Sequence, residues 1–251
     1  MARLRIIPRL DIKGPNLIKG IRLEGLRVVG DPHEFALRYY EQGADELVFM
    51  DIVASLYQRN NLTDIIARAA NRVFIPITVG GGIRSIEDVN TLLRSGADKV
   101  AINTAAIARP GLITEVSKRY GAQCMVLSVE AKACGSGQWE AYTDNGREHT
   151  GLDVVDWIQK AVELGAGEVL LTAVDKEGTR KGLDLALLQA VTARVDVPVI
   201  VSGGFGPVGD LAGAADSGAS GVAIADALHW QRTTVSALKQ EAQAMGLEVR
   251  L

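Results

Sequence analysis

Ile75-Pro76-Ile77-Thr78-Val79-Gly80-Gly81-Gly82-Ile83 decides the fold, because it occurs twice. At an offset of 122 residues the chain runs Val197-Pro198-Val199-Ile200-Val201-Ser202-Gly203-Gly204-Phe205. A short β-branched run that ends in glycines reads as a buried strand entering a tight turn. The same offset of 122 carries Glu46-Leu47-Val48 onto Glu168-Val169-Leu170 and the block beginning Gly96-Ala97 onto the one beginning Gly218-Ala219. Leu10-Asp11-Ile12-Lys13 returns as Val129-Glu130-Ala131-Lys132 at an offset of 119, a three-residue insertion after Glu130 making up the difference. Each half, about 1–122 and 123–251, offers a carboxylate at one strand end and glycine turns at two others. One domain of 251 residues built from two similar halves is the expectation.

The composition agrees. Hydrophobic residues make up 47% and aromatics 5%, which suits strands buried on both faces and covered by helices. A formal net charge of −3, with no basic stripe, argues against nucleic acid as a partner. The apolar runs are too short to span a bilayer. With no charged-then-apolar leader and two cysteines, Cys124 and Cys134, outside any metal spacing, a cytoplasmic protein with reduced thiols is expected. His33, His149 and His229 are scattered, so no histidine metal cluster is expected.

Apolar runs near 5–11, 46–51, 74–79, 98–103, 123–130, 168–173, 198–202 and 220–225 read as strands. Amphipathic stretches near 31–43, 61–71, 86–96, 109–120, 152–165, 183–194, 207–217 and 231–246 read as helices. Eight strand–helix units in a duplicated chain predict an α/β fold, a closed (β/α)8 TIM barrel. An open doubly wound sheet fits less well, since each half would leave edge strands uncovered. The irregular stretches 13–30 and 132–151 each follow the first strand of a half, on the barrel face where active sites form.

Asp11 and Glu130 then face each other across the barrel mouth, placed to act as acid and base on one substrate. Gly81 and Gly82, before a helix start at Ser85, offer backbone N–H groups to a phosphate, and Asn103-Thr104 adds an amide and a hydroxyl. The second half repeats this with Gly203, Gly204, Ala225 and Asp226, so a long ligand with a phosphate at each end is expected. Lys19 reads either as a phosphate ligand or as a solvated lysine. Asp51 and Asp175 are candidates for substrate hydroxyls, and Thr172 and Ser202 for hydrogen-bond donors. Arg5, Glu46, Lys99 and Glu168 stand at strand starts at the opposite end, where a ring of alternating charge is either a plug or a gate for a small neutral molecule.

Taken together, Arg5-Ile6-Ile7-Pro8, Leu10-Asp11-Ile12-Lys13, Lys19-Gly20, the run Asp45 to Ile52, Thr78-Val79-Gly80-Gly81-Gly82-Ile83, Gly96 to Ala106 and Gly165 to Thr172 resemble the cyclase subunit of imidazole glycerol phosphate synthase over essentially the whole chain. The resemblance implies a heterodimer with a glutaminase of the class-I amidotransferase type, docked on the N-terminal barrel face. Ammonia from that partner would pass through the barrel, by a gate that Arg5, Glu46, Lys99 and Glu168 resemble. The implied substrate is a ribulosyl aminoimidazole carboxamide nucleotide with a phosphate at each end. The products are imidazole glycerol phosphate and an aminoimidazole carboxamide ribotide, and no metal or organic cofactor is implied.

Three residues depart from that pattern. Glu130 stands where the family has an aspartate, Arg9 where it has a small residue, and Asp226 where it has a small hydroxyl residue beside the second phosphate, near Glu177-Gly178. Arg9 lies two residues before Asp11 and so also points inward. Asp11 and Glu130 are its nearest candidate partners, and it is expected to ion-pair with Glu130, to lower the carboxylate pKa values and to narrow the ammonia path. An Asp226 carboxylate repels a phosphate unless a cation intervenes. These departures leave a second reading open: a relative that receives ammonia for another nitrogen insertion, such as amidation of a surface sugar.

Overall fold

The computed structural model describes residues 3–53 and 62–250, so residue 61 of the helix expected at 61–71 lies outside the described residues. Among them the strands are, in chain order, β1 (Arg5–Lys13), β2 (Asn16–Ile21), β3 (Glu24–Gly30), β4 (Leu47–Asp51), β5 (Ile77–Gly80), β6 (Lys99–Ile102), β7 (Met125–Gly135), β8 (Gln138–Thr143), β9 (Glu148–Asp153), β10 (Glu168–Ala173), β11 (Val199–Ser202) and β12 (Gly221–Ile224). The order β10-β11-β12-β1-β4-β5-β6-β7, with β7 pairing back onto β10, closes an eight-stranded parallel barrel. Helices between the strands cover its outside, so the chain is a (β/α)8 TIM barrel.

Period-two alternation sorts every barrel strand into two cores. Ile6, Leu10 and Ile12 of β1, with Leu47 and Phe49 of β4, pack outward against the helices. Ile7, Val48, Met50, Ala101, Val126, Leu170, Ile200 and Ala223 form a separate cluster that fills the lumen. Each large side chain fully buried in this way contributes about 1.5–3 kcal/mol. The alternation also turns Arg5, Arg9 and Asp11 of β1 inward, on the face of Ile7.

The regions expected to be irregular are ordered. β1 runs past Asp11 to pair antiparallel with β2, and β2 pairs with β3. β7 likewise runs past Glu130 into β8, and β8 pairs with β9. Asp11 and Glu130 are thus not strand ends but the points where a strand leaves the barrel to enter a hairpin. The first hairpin turns on Arg22 and Leu23, both left-handed at φ 52° and 63°. That conformation normally takes Asn-Gly, so the sequence carried no hairpin signal there. Two short helices, Thr104–Ala108 and Asp226–His229, also went unforeseen, because one turn of helix has no readable period. The strand expected from 74 begins at Ile77.

The repeat holds at backbone resolution. Asn103 (φ −116°, ψ −86°) and Ala225 (φ −121°, ψ −73°), at the offset of 122, share an unusual conformation ahead of these short helices. A side chain at Gly81 would meet the Asp51 carbonyl oxygen at 2.1 Å, and one at Gly203 would meet that of Ala173 at 2.5 Å. Both pairs obey the same offset, so the glycines are required for the same close approach of backbone to backbone.

Candidate active site at the barrel mouth

At the N-terminal end the four charged residues form a closed ring. Arg5 reaches Glu46 at 2.9 Å and Glu168 at 2.5 Å, while Lys99 reaches Glu46 at 2.9 Å and Glu168 at 2.7 Å. Thr78 donates to Glu46 as well. The two glutamates are buried and the two cations partly exposed. Above the ring lies the apolar lumen, and above that the chemistry of the mouth.

Arg9 does not pair with Glu130. Its Nε donates to Asp11 Oδ1 at 2.9 Å, and its Nη1 reaches Thr172 Oγ1 at 2.9 Å and Ser202 Oγ at 3.3 Å. Thr172 and Ser202, expected as donors, are acceptors for this guanidinium. The reason is proximity along one strand: Arg9 and Asp11 share the inward face of β1, and the fork reaches past β12 to β11 and β10. Lys19 is not solvated, and its charge already has partners. Its ammonium is buried, ion-paired with Glu177 and 3.5 Å from Asp11 Oδ2. Burial opposes ionisation of Asp11, but Arg9 and Lys19 outweigh it and hold the carboxyl below the usual carboxylate range. Burial likewise opposes the charge on Lys19, and Glu177 and Asp11 outweigh that, raising its pKa.

Glu130 lies on β7, four strands from β1 in either direction round the barrel. Burial pushes its pKa up to about 7, the Gly146 N–H at 2.8 Å and Arg9 opposing the rise only in part. The expectation that Arg9 would lower both carboxylates therefore holds for Asp11 and fails for Glu130. His229, close to Asp11 and Lys19, is driven down to about 3 by burial and by the Lys19 charge, and its Nδ1 lies 2.6 Å from the Tyr39 hydroxyl.

A cavity of about 470 Å³ opens at the first half of the mouth, lined by Glu130, Arg9, Asp51, Gly81, Gly82, Asn103 and Thr104, with Asp144 and Asn145 beside them. Gly81 and Gly82 are left-handed at φ 95° and 71°. The helix that follows is fixed by a capping box in which Ser85 and Asp88 bond each other's backbone N–H at 3.2 and 3.1 Å. Asn103 donates to the Tyr142 carbonyl at 3.0 Å, which ties this half of the mouth to the β8 hairpin. Asp11 is not on the cavity wall, because Arg9 and Lys19 cover it.

The second half differs. Gly178, Gly203, Gly204, Ala225 and Asp226 do come together, but around a space of only about 10 Å³, with Glu177 as a second carboxylate in the wall. That is the size of one water. Asp226 is flanked by Arg180 at 3.6 Å and Arg232 at 3.4 Å, so cations do intervene beside its carboxylate. Asp175 is exposed and accepts from the Ala133 N–H at 2.9 Å, bracing the end of β7. The sequence reading missed Asp144, Asn145 and Gly146. The run Asp-Asn-Gly is itself a turn signal, and it could have placed them over the cavity. No cluster of metal-ligating side chains occurs among the described residues, and no helix there is long and apolar enough to cross a membrane.

The comparisons with known proteins agree on one family. The family model described as "Histidine biosynthesis protein" matches residues 5–234. Imidazole glycerol phosphate synthase subunit HisF of Legionella pneumophila is 64% identical over 206 residues, covering 82% of this chain and 97% of that protein. The protein of the same name from Myxococcus xanthus is 49% identical over 251 residues, covering 100% of this chain and 99% of its own. That from Thermobifida fusca is 48% identical over 252 residues, with 98% of each covered. With the barrel, its doubled mouth and these relatives in agreement, the chain belongs to the histidine biosynthesis protein family, alongside the HisF subunits.

Proposed function

We propose that this chain is the ammonia-using cyclase of imidazole glycerol phosphate synthase, acting on the ribulosyl aminoimidazole carboxamide nucleotide. The single observation that carries the reading is the pair of opposed carboxylates at the mouth, one held as an anion and the other with a pKa of about 7. Two titratable groups driven apart by their surroundings divide acid–base work between them. Asp11, locked by Arg9 and Lys19 behind the cavity wall, stays charged and acts through the Arg9 guanidinium, which does line the cavity, offsetting that cation's field where positive charge develops as ammonia adds to the ribulosyl carbonyl. Glu130 exchanges protons near neutrality: it passes two protons in turn from the adding nitrogen to the carbonyl oxygen, which leaves as water, and on ring closure it takes a further proton from the substrate and delivers it to the departing ribotide nitrogen. His229, neutral at pH 7, takes no part in that exchange. The first phosphate fits the Gly81–Gly82 turn and the Asn103–Thr104 backbone. The relatives' names describe them as subunits of a synthase, which supports a partner that supplies ammonia at the N-terminal face. The charged ring and the apolar lumen lie on the straight path from that face to Glu130. A chain in this role works in the cytoplasm.

Glu130→Gln tests the reading. Purified protein, the ribulosyl substrate and saturating ammonium salt should give turnover in the wild type and a loss of about a hundredfold or more in the variant. Equal turnover in the two would overturn it. The relatives' common name gives no support to the surface-sugar alternative.

A further inference from the structure

Arg9 stands where the lumen opens into the first cavity. Met50 and Ala101 belong to the lumen cluster and also line the cavity, and Arg9 lines it with them. On β1 it is the next inward residue after Ile7, which lies in the lumen cluster. A small molecule rising through the lumen therefore enters the cavity beside this guanidinium and meets Glu130, which lines the same space. We infer that Arg9 is a catalytic residue, whose Nη2 amino group holds the ribulosyl carbonyl oxygen and stabilises the negative charge which that oxygen takes up when ammonia adds. The inference rests on the cyclase reading.

Three observations carry it. The first is what the fork leaves over. Nε donates to Asp11, and Nη1 donates to Thr172 and Ser202. Nη2 has no partner among the described residues, yet it is not one of their fully enclosed, unpaired side-chain atoms. Arg9 as a whole is only 2% exposed, so the open space that Nη2 touches is the cavity. The second is rigidity. The three bonds run from β1 to β10 and β11 and fix the guanidinium plane before any ligand arrives. A donor fixed in advance needs no reorganisation at the moment charge develops, which is what makes such donors effective. The third is charge balance. Arg9 and Lys19 are answered by Asp11 and Glu177, two cations by two anions. Nη2 therefore offers its N–H groups to an oxyanion without an unanswered positive charge to repel the adding nitrogen. In the step itself the ammonia lone pair forms the C–N bond, the carbonyl π pair moves onto oxygen, and Nη2 donates to the alkoxide. The guanidinium keeps its own protons, so the transfer from nitrogen to that oxygen falls to Glu130.

The carbonyl itself supplies a readout that a purely structural arginine leaves unmoved. The ribulosyl substrate, isotope-labelled at its ketone carbon, is bound to the full chain in ammonia-free buffer, and its carbonyl stretch is followed by infrared difference spectroscopy. The inference expects the bound band below its position in free substrate, because a donated hydrogen bond weakens the double bond. In Arg9→Met the band should return to the free position, and kcat with saturating ammonium salt should fall about a hundredfold or more with KM within about threefold. Arg9→Lys keeps the cation beside Asp11 and lacks the second amino group, so it should fold like the wild type and still lose the shift. It decides the matter if Arg9→Met does not fold. An unshifted band in the wild type, or a shift that Arg9→Lys keeps in full, overturns the inference. If the wild type turns over the substrate while either of those results is found, Arg9 is not the donor and the cyclase reading stands. No turnover in the wild type overturns both.

Discussion

Arg9 is the residue that most changes what the mouth can do. A guanidinium in a lumen needs partners, and the inward face of its own strand supplies Asp11 before Glu130 comes within reach. The result is an asymmetric pair: Asp11 is held as an anion, and Glu130 is left as a carboxyl with a pKa of about 7. For Glu130 the folded pKa lies above the unfolded value of 4.5, so its neutral form is the one folding tolerates. That contribution is complete below about pH 4.5 and is lost as the pH rises through about 7, by on the order of 3 kcal/mol at most. Melting temperatures of Glu130→Gln and wild type should therefore be similar at pH 5 and diverge in favour of the variant at pH 8. A constant difference across that range would show that Glu130 is not titrating in the fold. Asp11 runs the other way, its stabilisation being lost only as the pH falls below the ordinary carboxylate range. Asp11→Asn leaves Arg9 and Lys19 without their shared anion and should cost about 3–5 kcal/mol in urea denaturation. Asp11 and Glu130 were legible as a pair in the sequence because the repeat superimposes them. The choice of Arg9 between the two was not, since period two fixes the face a side chain takes and not how far its fork extends.

At the scale of elements, the glycine turns and caps set the first cradle. Gly81→Ala would drive its Cβ into the Asp51 carbonyl at a left-handed φ of 95°, with backbone on both sides and nothing free to yield. It should both destabilise the protein and abolish binding of a phosphate-bearing ligand in the first cavity. Ser85→Ala removes only one half of the capping box at the next helix and should lower stability by about 1 kcal/mol, read as a shift in the urea midpoint with unchanged slope. The barrel strands could be read from the sequence as short apolar runs bounded by turn residues, and the longer helices because their apolar period repeats over about two turns or more. The hairpins after β1 and β7 could not. Their turns use Arg22-Leu23 and Asp144-Asn145, and only the second of these has the chemistry that normally marks a hairpin. The short helices 104–108 and 226–229 give no period to detect, although they complete both cradles.

At the scale of the whole molecule, duplication explains the architecture and its imperfection locates the specificity. Pairing of β7 with β10 leaves the barrel without an edge, so the two halves are expected to unfold together. Far-ultraviolet dichroism and tryptophan emission should trace one coincident transition, whereas two separated transitions would mean that the halves are independent. The ring of Arg5, Glu46, Lys99 and Glu168 was readable as a ring from its strand-start positions, and all four of its ion pairs are made. The closure of the second cradle was not readable. It depends on how Glu177 and Asp226, on segments 49 residues apart, meet over the same glycines.

The most direct test of the central claim is the pH dependence of kcat/KM for the ribulosyl substrate, with free ammonia held constant at every pH, in wild type and Glu130→Asp. If the buried glutamate exchanges the proton, the wild-type profile bends with an apparent pKa near 7, and the bend moves when the side chain is shortened by one methylene. A profile that bends at the same pH in both proteins would assign the proton to another group and contradict the account.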